Sequence, residues 1–166
     1  MIAETQIRLT EDQVLDLWER RISAEVRSLY FADLANVLSS RKQWITGISF
    51  FFSSGAAATL IAKGPIWVPI VLSTIVAIMS AYSVAINLDL KIKTMAKLQY
   101  SWAQLSNEYD RLWNHTYTDD AEQQLLDLAN RELEISQLAA TDAPNDQDRL
   151  GRWQERVFQL HHLAGA

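Results

Sequence analysis

The sequence predicts an all-α membrane protein: a two-helix transmembrane hairpin that continues into long cytosolic helices, followed by two C-terminal cytosolic helices. Three observations predict it. From Trp44 to Asn87 the chain reads WITGISFFFSSGAAATLIA, then KGP, then IWVPIVLSTIVAIMSAYSVAIN, and between Lys42 and Asp89 the one formal charge is Lys63, inside the break. Apolar residues recur at helical spacing on both sides of this stretch. Strand-like patterning appears nowhere.

Each apolar arm, 44–62 and 66–87, holds about 19 to 22 residues. At 1.5 Å per residue that gives roughly 28 to 33 Å of helix, against a hydrocarbon core roughly 30 Å thick. A three-residue connection makes the arms antiparallel neighbours. The alternative, a buried helix pair in a soluble protein, is disfavoured because core helices seldom run this long without a charge on any face. Trp44 opens the first arm and Trp67 lies near the tip, where amphipathic rings favour the interface. Arg41, Lys42, Lys91, Lys93 and Lys97 flank the terminal ends of the arms, and Lys63 alone marks the tip. The positive-inside rule then places both termini in the cytoplasm.

Residues 1–9 carry no pattern and read as a tail. Thr10 and Gln13 have the spacing of a capping box, with Thr10 capping the amides while Gln13 reaches back. An apolar stripe follows over 10–43 (Val14, Leu15, Trp18, Ile22, Val26, Leu29, Tyr30, Leu34, Val37, Leu38), and the spacing predicts one helix from Thr10 to Ala62. Its cytosolic part must pack on something to be stable. The partner expected is 88–117, read as a helix continuing the second arm, with Leu88, Ile92, Met95, Leu98, Trp102, Leu105, Tyr109 and Leu112 on one face. Within 118–166, Asp119 and Glu122 repeat the capping-box spacing and predict a helix from about Asp120 to Ala140. Pro144 marks a turn. Asn145 or Asp146 then caps a last helix to about Leu163, whose Leu150, Trp153, Val157 and Leu160 suit helix pairing.

Composition bounds the function. The chain has 166 residues, a net charge of −5 and no cysteine, which excludes disulfides, thiolate chemistry and zinc–thiolate sites. The negative charge lies mostly in the C-terminal third and does not point to a general nucleic-acid binder. His115, His161 and His162 lack partners at ligand spacing and read as solvated residues, so no metal site is expected. With no phosphate-cradling glycine loop, nucleophile elbow or paired catalytic carboxylates, the reading is of a non-enzyme without cofactors.

Two residue sets stand out. Thr46, Ser49 and Ser53 on the first arm, and Ser73, Ser80 and Asn87 on the second, give each helix a mildly polar face that in an oligomer could line a water-filled path. Serine in a membrane helix more often bonds its own backbone or a neighbour, which is the plainer reading. Small residues at Ser73, Ala77, Ala81 and Ala85 allow close helix approach within the hairpin or between copies. On the last helix, Arg149, Arg152 and Arg156 share a face with Trp153, a combination suited to phosphates and bases. The plainer reading pairs these arginines with Asp146, Asp148 and Glu155 and puts Trp153 in the core.

The order of features resembles the SLATT family of bacterial two-transmembrane effectors. The likeness covers about residues 10–140 and is carried by Leu29-Tyr30 and RKQW before the hairpin, the KGP tip, and SVAINLDLKIKTMAKLQYSWAQLSNEYDRLW after it. The resemblance implies a homo-oligomeric pore-forming effector of the bacterial inner membrane in antiphage defence. It also implies a neighbouring enzyme that makes or senses a nucleotide signal. It supplies no catalytic or ligand motif to transfer. A constitutive membrane anchor or scaffold and a holin-like lesion former are the alternatives.

Overall fold

The computed structural model of the chain describes residues 9–53, 67–85 and 87–163. These form helices α1 (Glu11–Ser53), α2 (Trp67–Ala85), α3 (Leu88–Trp113), α4 (Ala121–Asp142) and α5 (Gln147–Leu163), with no strand among the described residues. The fold is all-α. Among the described residues, no helix is long and apolar enough to cross a membrane. Residues 54–66, which include the end of the first arm and the KGP tip, lie outside the described residues, as does nearly all of the tail.

The chain divides into two compact units, residues 1–33 with 94–166, and residues 34–93. In the first unit, Arg27 stacks 4.6 Å over the Trp102 ring and Arg21 lies 6.0 Å over Trp113, so α1 and α3 run antiparallel there. Gln13, Arg20 and Arg27 of α1 donate in sequence to Glu122, Glu132 and Ser136 of α4, so α1 and α4 run parallel. Leu17, Leu98, Trp102, Leu105 and Tyr109 are fully buried between these helices. Burying a large side chain is worth about 1.5–3 kcal/mol. α5 seats Val157 on Ile22 and Val26, with Trp18, Leu150, Trp153 and Phe158 around them. The stripe expected on α3 is thus largely buried. On α1, Ile22, Val26, Tyr30 and Leu34 are buried, but Leu15 is exposed and Leu17, outside the expected stripe, is in the core. On α5, Val157 is buried while Leu160 is exposed.

One polar network runs through this apolar core. Glu132, with 13% of its side chain exposed, accepts from Arg20 Nη1 at 2.9 Å and from the Tyr109 hydroxyl at 2.9 Å. Burial, then the charge of Glu132, pushes the Tyr109 pKa up. The hydrogen bond to Asp16, reinforced by Glu132 against partial burial, pushes the Arg20 pKa up. Arg131 also pairs with Glu108, and Arg21 with Asp110.

Local capping follows the sequence at two helix starts. The Thr10 N–H donates to Gln13 Oε1 at 2.8 Å and the Gln13 N–H donates to Thr10 Oγ1 at 3.3 Å, which is the reciprocal box expected. Asp146 Oδ1 accepts from the Arg149 N–H at 3.0 Å and caps α5. Three expectations need correction. The box at Asp119 and Glu122 does not form: Asp120 precedes α4 without a side-chain cap, and Glu122 instead accepts from Gln13 Nε2 at 3.2 Å. The second arm does not continue unbroken past Asn87, because α2 ends at Ala85 and Asn87 adopts φ 50°, the left-handed region that asparagine tolerates better than most residues. His161 is not a solvated tail residue, since its Nε2 lies 2.8 Å from Glu25 Oε2.

The second unit is built differently. Leu34 and Leu88 are its buried residues among those described. Trp44, Phe50, Phe51, Trp67, Ile70, Ile78, Tyr82 and Val84 are all exposed. Lys42 Nζ pairs with Asp89 Oδ1 at 2.5 Å, and the hydrogen bond and charge of Lys42 hold the Asp89 carboxyl below its usual pKa.

Candidate functional site

α5 starts at a cap that fixes where its arginines fall. The Tyr30 hydroxyl donates to the Pro144 carbonyl at 2.7 Å and accepts from the Asp146 N–H at 3.2 Å, which ties the turn before α5 to α1. From that anchor α5 carries Arg149 back to Asp33, with Nη1 2.9 Å from Asp33 Oδ2 and Nε 3.2 Å from Asp146 Oδ2. Burial opposes the charge of Arg149, and the hydrogen bonds and charges of Asp146 and Asp33 outweigh it, so its pKa rises. Asp146 is held low, first by the Arg149 N–H and then by the guanidinium. Arg149 is thus a structural ion-pair residue, which corrects its place among the ligand candidates.

Trp153, Arg152 and Arg156 do come together. They line a groove of about 440 Å³ with Asp33, Glu155 and Gln159. The Trp153 indole N–H points to Asp33 Oδ2 at 3.4 Å, and the Arg156 guanidinium stacks 5.0 Å over the Trp153 ring. Both arginines are exposed, while Trp153 is half-buried against the Ile22–Val26–Val157 cluster. The volume falls in the range of small-molecule clefts. Asp33 was not legible as a groove residue, because it lies on α1, 116 positions from Arg149. Its spacing in the sequence carries no signal of that contact.

Thr46 is exposed and Ser49 half-buried on α1, while the side chain of Ser53 lies outside the described ones. Ser73 and Ser80 are exposed on α2. Ser73 Oγ donates to the Ile70 carbonyl at 3.0 Å and Thr74 Oγ1 does the same at 2.8 Å, so these hydroxyls are satisfied within their own helix. Asn87 sits between α2 and α3 rather than on a helix face: its N–H donates to the Val84 carbonyl at 3.1 Å and its carbonyl accepts from the Lys91 N–H at 3.1 Å. That backbone role joins two helix ends. The small ridge of Ser73, Ala77, Ala81 and Ala85 is exposed along its length.

Among the described residues, no cluster of three or more histidine or acidic side chains is arranged to hold a metal ion. Among them, His115 Nδ1 lies 2.8 Å from the Arg111 carbonyl, in the turn just past the end of α3. No family model, curated protein or solved structure matches this chain.

Proposed function

We propose that this chain is a membrane-embedded, homo-oligomeric pore-forming effector, gated by a nucleotide signal or a partner protein, that permeabilises the bacterial inner membrane in antiphage defence. The observation that carries the membrane part is the apolar surface of the second unit. Trp44, Phe50, Trp67, Ile70, Ile78 and Val84 each expose more than 60% of their surface, within a stretch whose only charge is Lys63. Water-facing apolar area on that scale marks a membrane or partner surface. Lys63 at the tip and the cations at the terminal ends support an orientation with both termini in the cytoplasm. The exposed ridge of Ser73, Ala77, Ala81 and Ala85 supports association between hairpins of different copies, where close approach replaces the hydrophobic drive. The likeness to SLATT effectors supports the defence role and a neighbouring nucleotide-synthesising or nucleotide-sensing enzyme. No chemical step is assigned to the chain.

A constitutive anchor or scaffold is the second reading, and one observation favours it. The Ser73 hydroxyl bonds its own helix and has no need of a water-filled path. Dye or ion release from liposomes containing the purified protein separates the two, measured with and without the product of the neighbouring gene. Release that changes with that product supports the gated pore. Release regardless of it supports a holin-like lesion former, and no release from correctly inserted protein leaves the anchor.

A further inference from the structure

The ion pairs of α5 sort its arginines into two classes. Arg149 is committed to Asp33 and Asp146. Arg152 and Arg156 have no ion pair among the described residues, are exposed, and stand one turn apart on the same groove. Like charges at that spacing repel, and an anion between them would turn repulsion into attraction. The groove is not stripped of acid, but its acids are unequal. Asp33 is matched by Arg149 and by the Trp153 indole N–H, which leaves Glu155 as the other carboxylate lining the groove, while the charge of Arg152 also acts on Asp146 outside it without an ion pair. Stacking on Trp153 holds the Arg156 fork in place, so less side-chain freedom is lost when it binds.

We propose that this groove binds a soluble, phosphate-bearing small molecule, with Arg152 and Arg156 on the phosphate and Glu155 and Gln159 accepting from its hydrogen-bond donors. Arginine is suited to this because its planar fork meets two phosphate oxygens at once. The pairing of cations with acceptors at one groove selects a ligand that carries both an anionic end and N–H or O–H groups. Inorganic phosphates lack the N–H groups and the separate donor-bearing end. Arg149 serves as a positioning residue: it quenches Asp33 and ties the start of α5 to α1 without touching the ligand. The proposal deepens the gating half of the function above and is independent of the pore half, because binding is read without any flux.

The test is calorimetric titration of the full-length protein in neutral phosphatidylcholine liposomes, with ATP and inorganic pyrophosphate as probes. ATP is expected to bind more tightly than pyrophosphate. Arg152→Gln and Arg156→Gln should each weaken ATP about tenfold or more, the loss of one charge-assisted contact. Arg149→Gln should lower the melting temperature and leave ATP affinity within about twofold, measured where the variant is folded. Absence of ATP binding to the wild type, or wild-type affinity in both Arg152→Gln and Arg156→Gln, overturns the proposal. Repeating the titration with phosphatidylglycerol in the liposomes distinguishes the source of the phosphate. Persistent ATP binding supports the soluble ligand, whereas its abolition assigns the arginines to lipid headgroups and overturns it.

Discussion

Trp102 and Trp44 both lie on long helices, and they meet opposite surroundings. Trp102 is 0% exposed and lies under Arg27, whereas Trp44 is 73% exposed. The same contrast holds between the two units at large. Residues 1–33 with 94–166 bury a continuous set of large apolar side chains and pair charged groups among them, as Glu132 does with Arg20 and Tyr109, although the Trp102 indole N–H is buried without a partner. Within residues 34–93, Trp44, Phe50, Phe51, Trp67, Ile70, Ile78 and Val84 are exposed. A protein in water gains by hiding such area, so the first unit carries a core of its own, which the described residues of the second do not.

The comparison is broken hardest in the core. Trp102→Ala should destabilise by about 3–5 kcal/mol, and Trp44→Ala by less than about 0.5 kcal/mol, in chemical denaturation of detergent-purified protein. Equal losses would mean that Trp44 has a packed environment of its own. In the second unit, Ile78→Lys places a charge mid-helix in α2, at roughly 2.5–3.5 kcal/mol for a bilayer-spanning segment. Liposome flotation should then show loss of membrane retention with the first unit still folded; unchanged flotation would count against insertion of α2.

A smaller effect separates two roles of Asn87. Its left-handed backbone predicts that Asn87→Gly is neutral to within about 0.5 kcal/mol, while Asn87→Val costs about 1–2 kcal/mol in the same unfolding assay. If Asn87 lined a pore instead, both substitutions would alter flux, with no relation to stability. The smallest effect is a pH dependence. The folded Asp146 carboxyl is held below its usual range by the Arg149 N–H, so the stability it gives is complete above the unfolded carboxylate value near 3.9 and is lost as pH falls through the folded value. Thermal melts of wild type against Asp146→Asn should show a wild-type advantage at pH 5–7 that fades below about pH 4. A constant difference would remove the charge from the cap.

Contacts within a turn of helix were legible beforehand. The Thr10–Gln13 box and the Asp146 cap involve partners three residues apart, and the helix itself brings such residues together. The buried stripe of α3 was legible for the same reason, since Leu98, Trp102, Leu105, Tyr109 and Leu112 share a face by periodicity alone. The failed box at Glu122 marks the limit. Spacing offered that carboxylate to its own helix, and Gln13, 109 positions away, took it.

The sequence by itself determined the all-α class, most of the helix extents, the uncharged stretch around Lys63 and the absence of cysteine chemistry, because each follows from local patterning or composition. Tertiary structure decided which carboxylate meets which cation. Arg149 could have joined Arg152 and Arg156 in one basic face, and it was drawn away by Asp33; His161 could have stayed in solvent, and it met Glu25, 136 positions away. Side chains of one charge are interchangeable in a pattern, and only the packing of α5 on α1 brings a particular pair within hydrogen-bond reach.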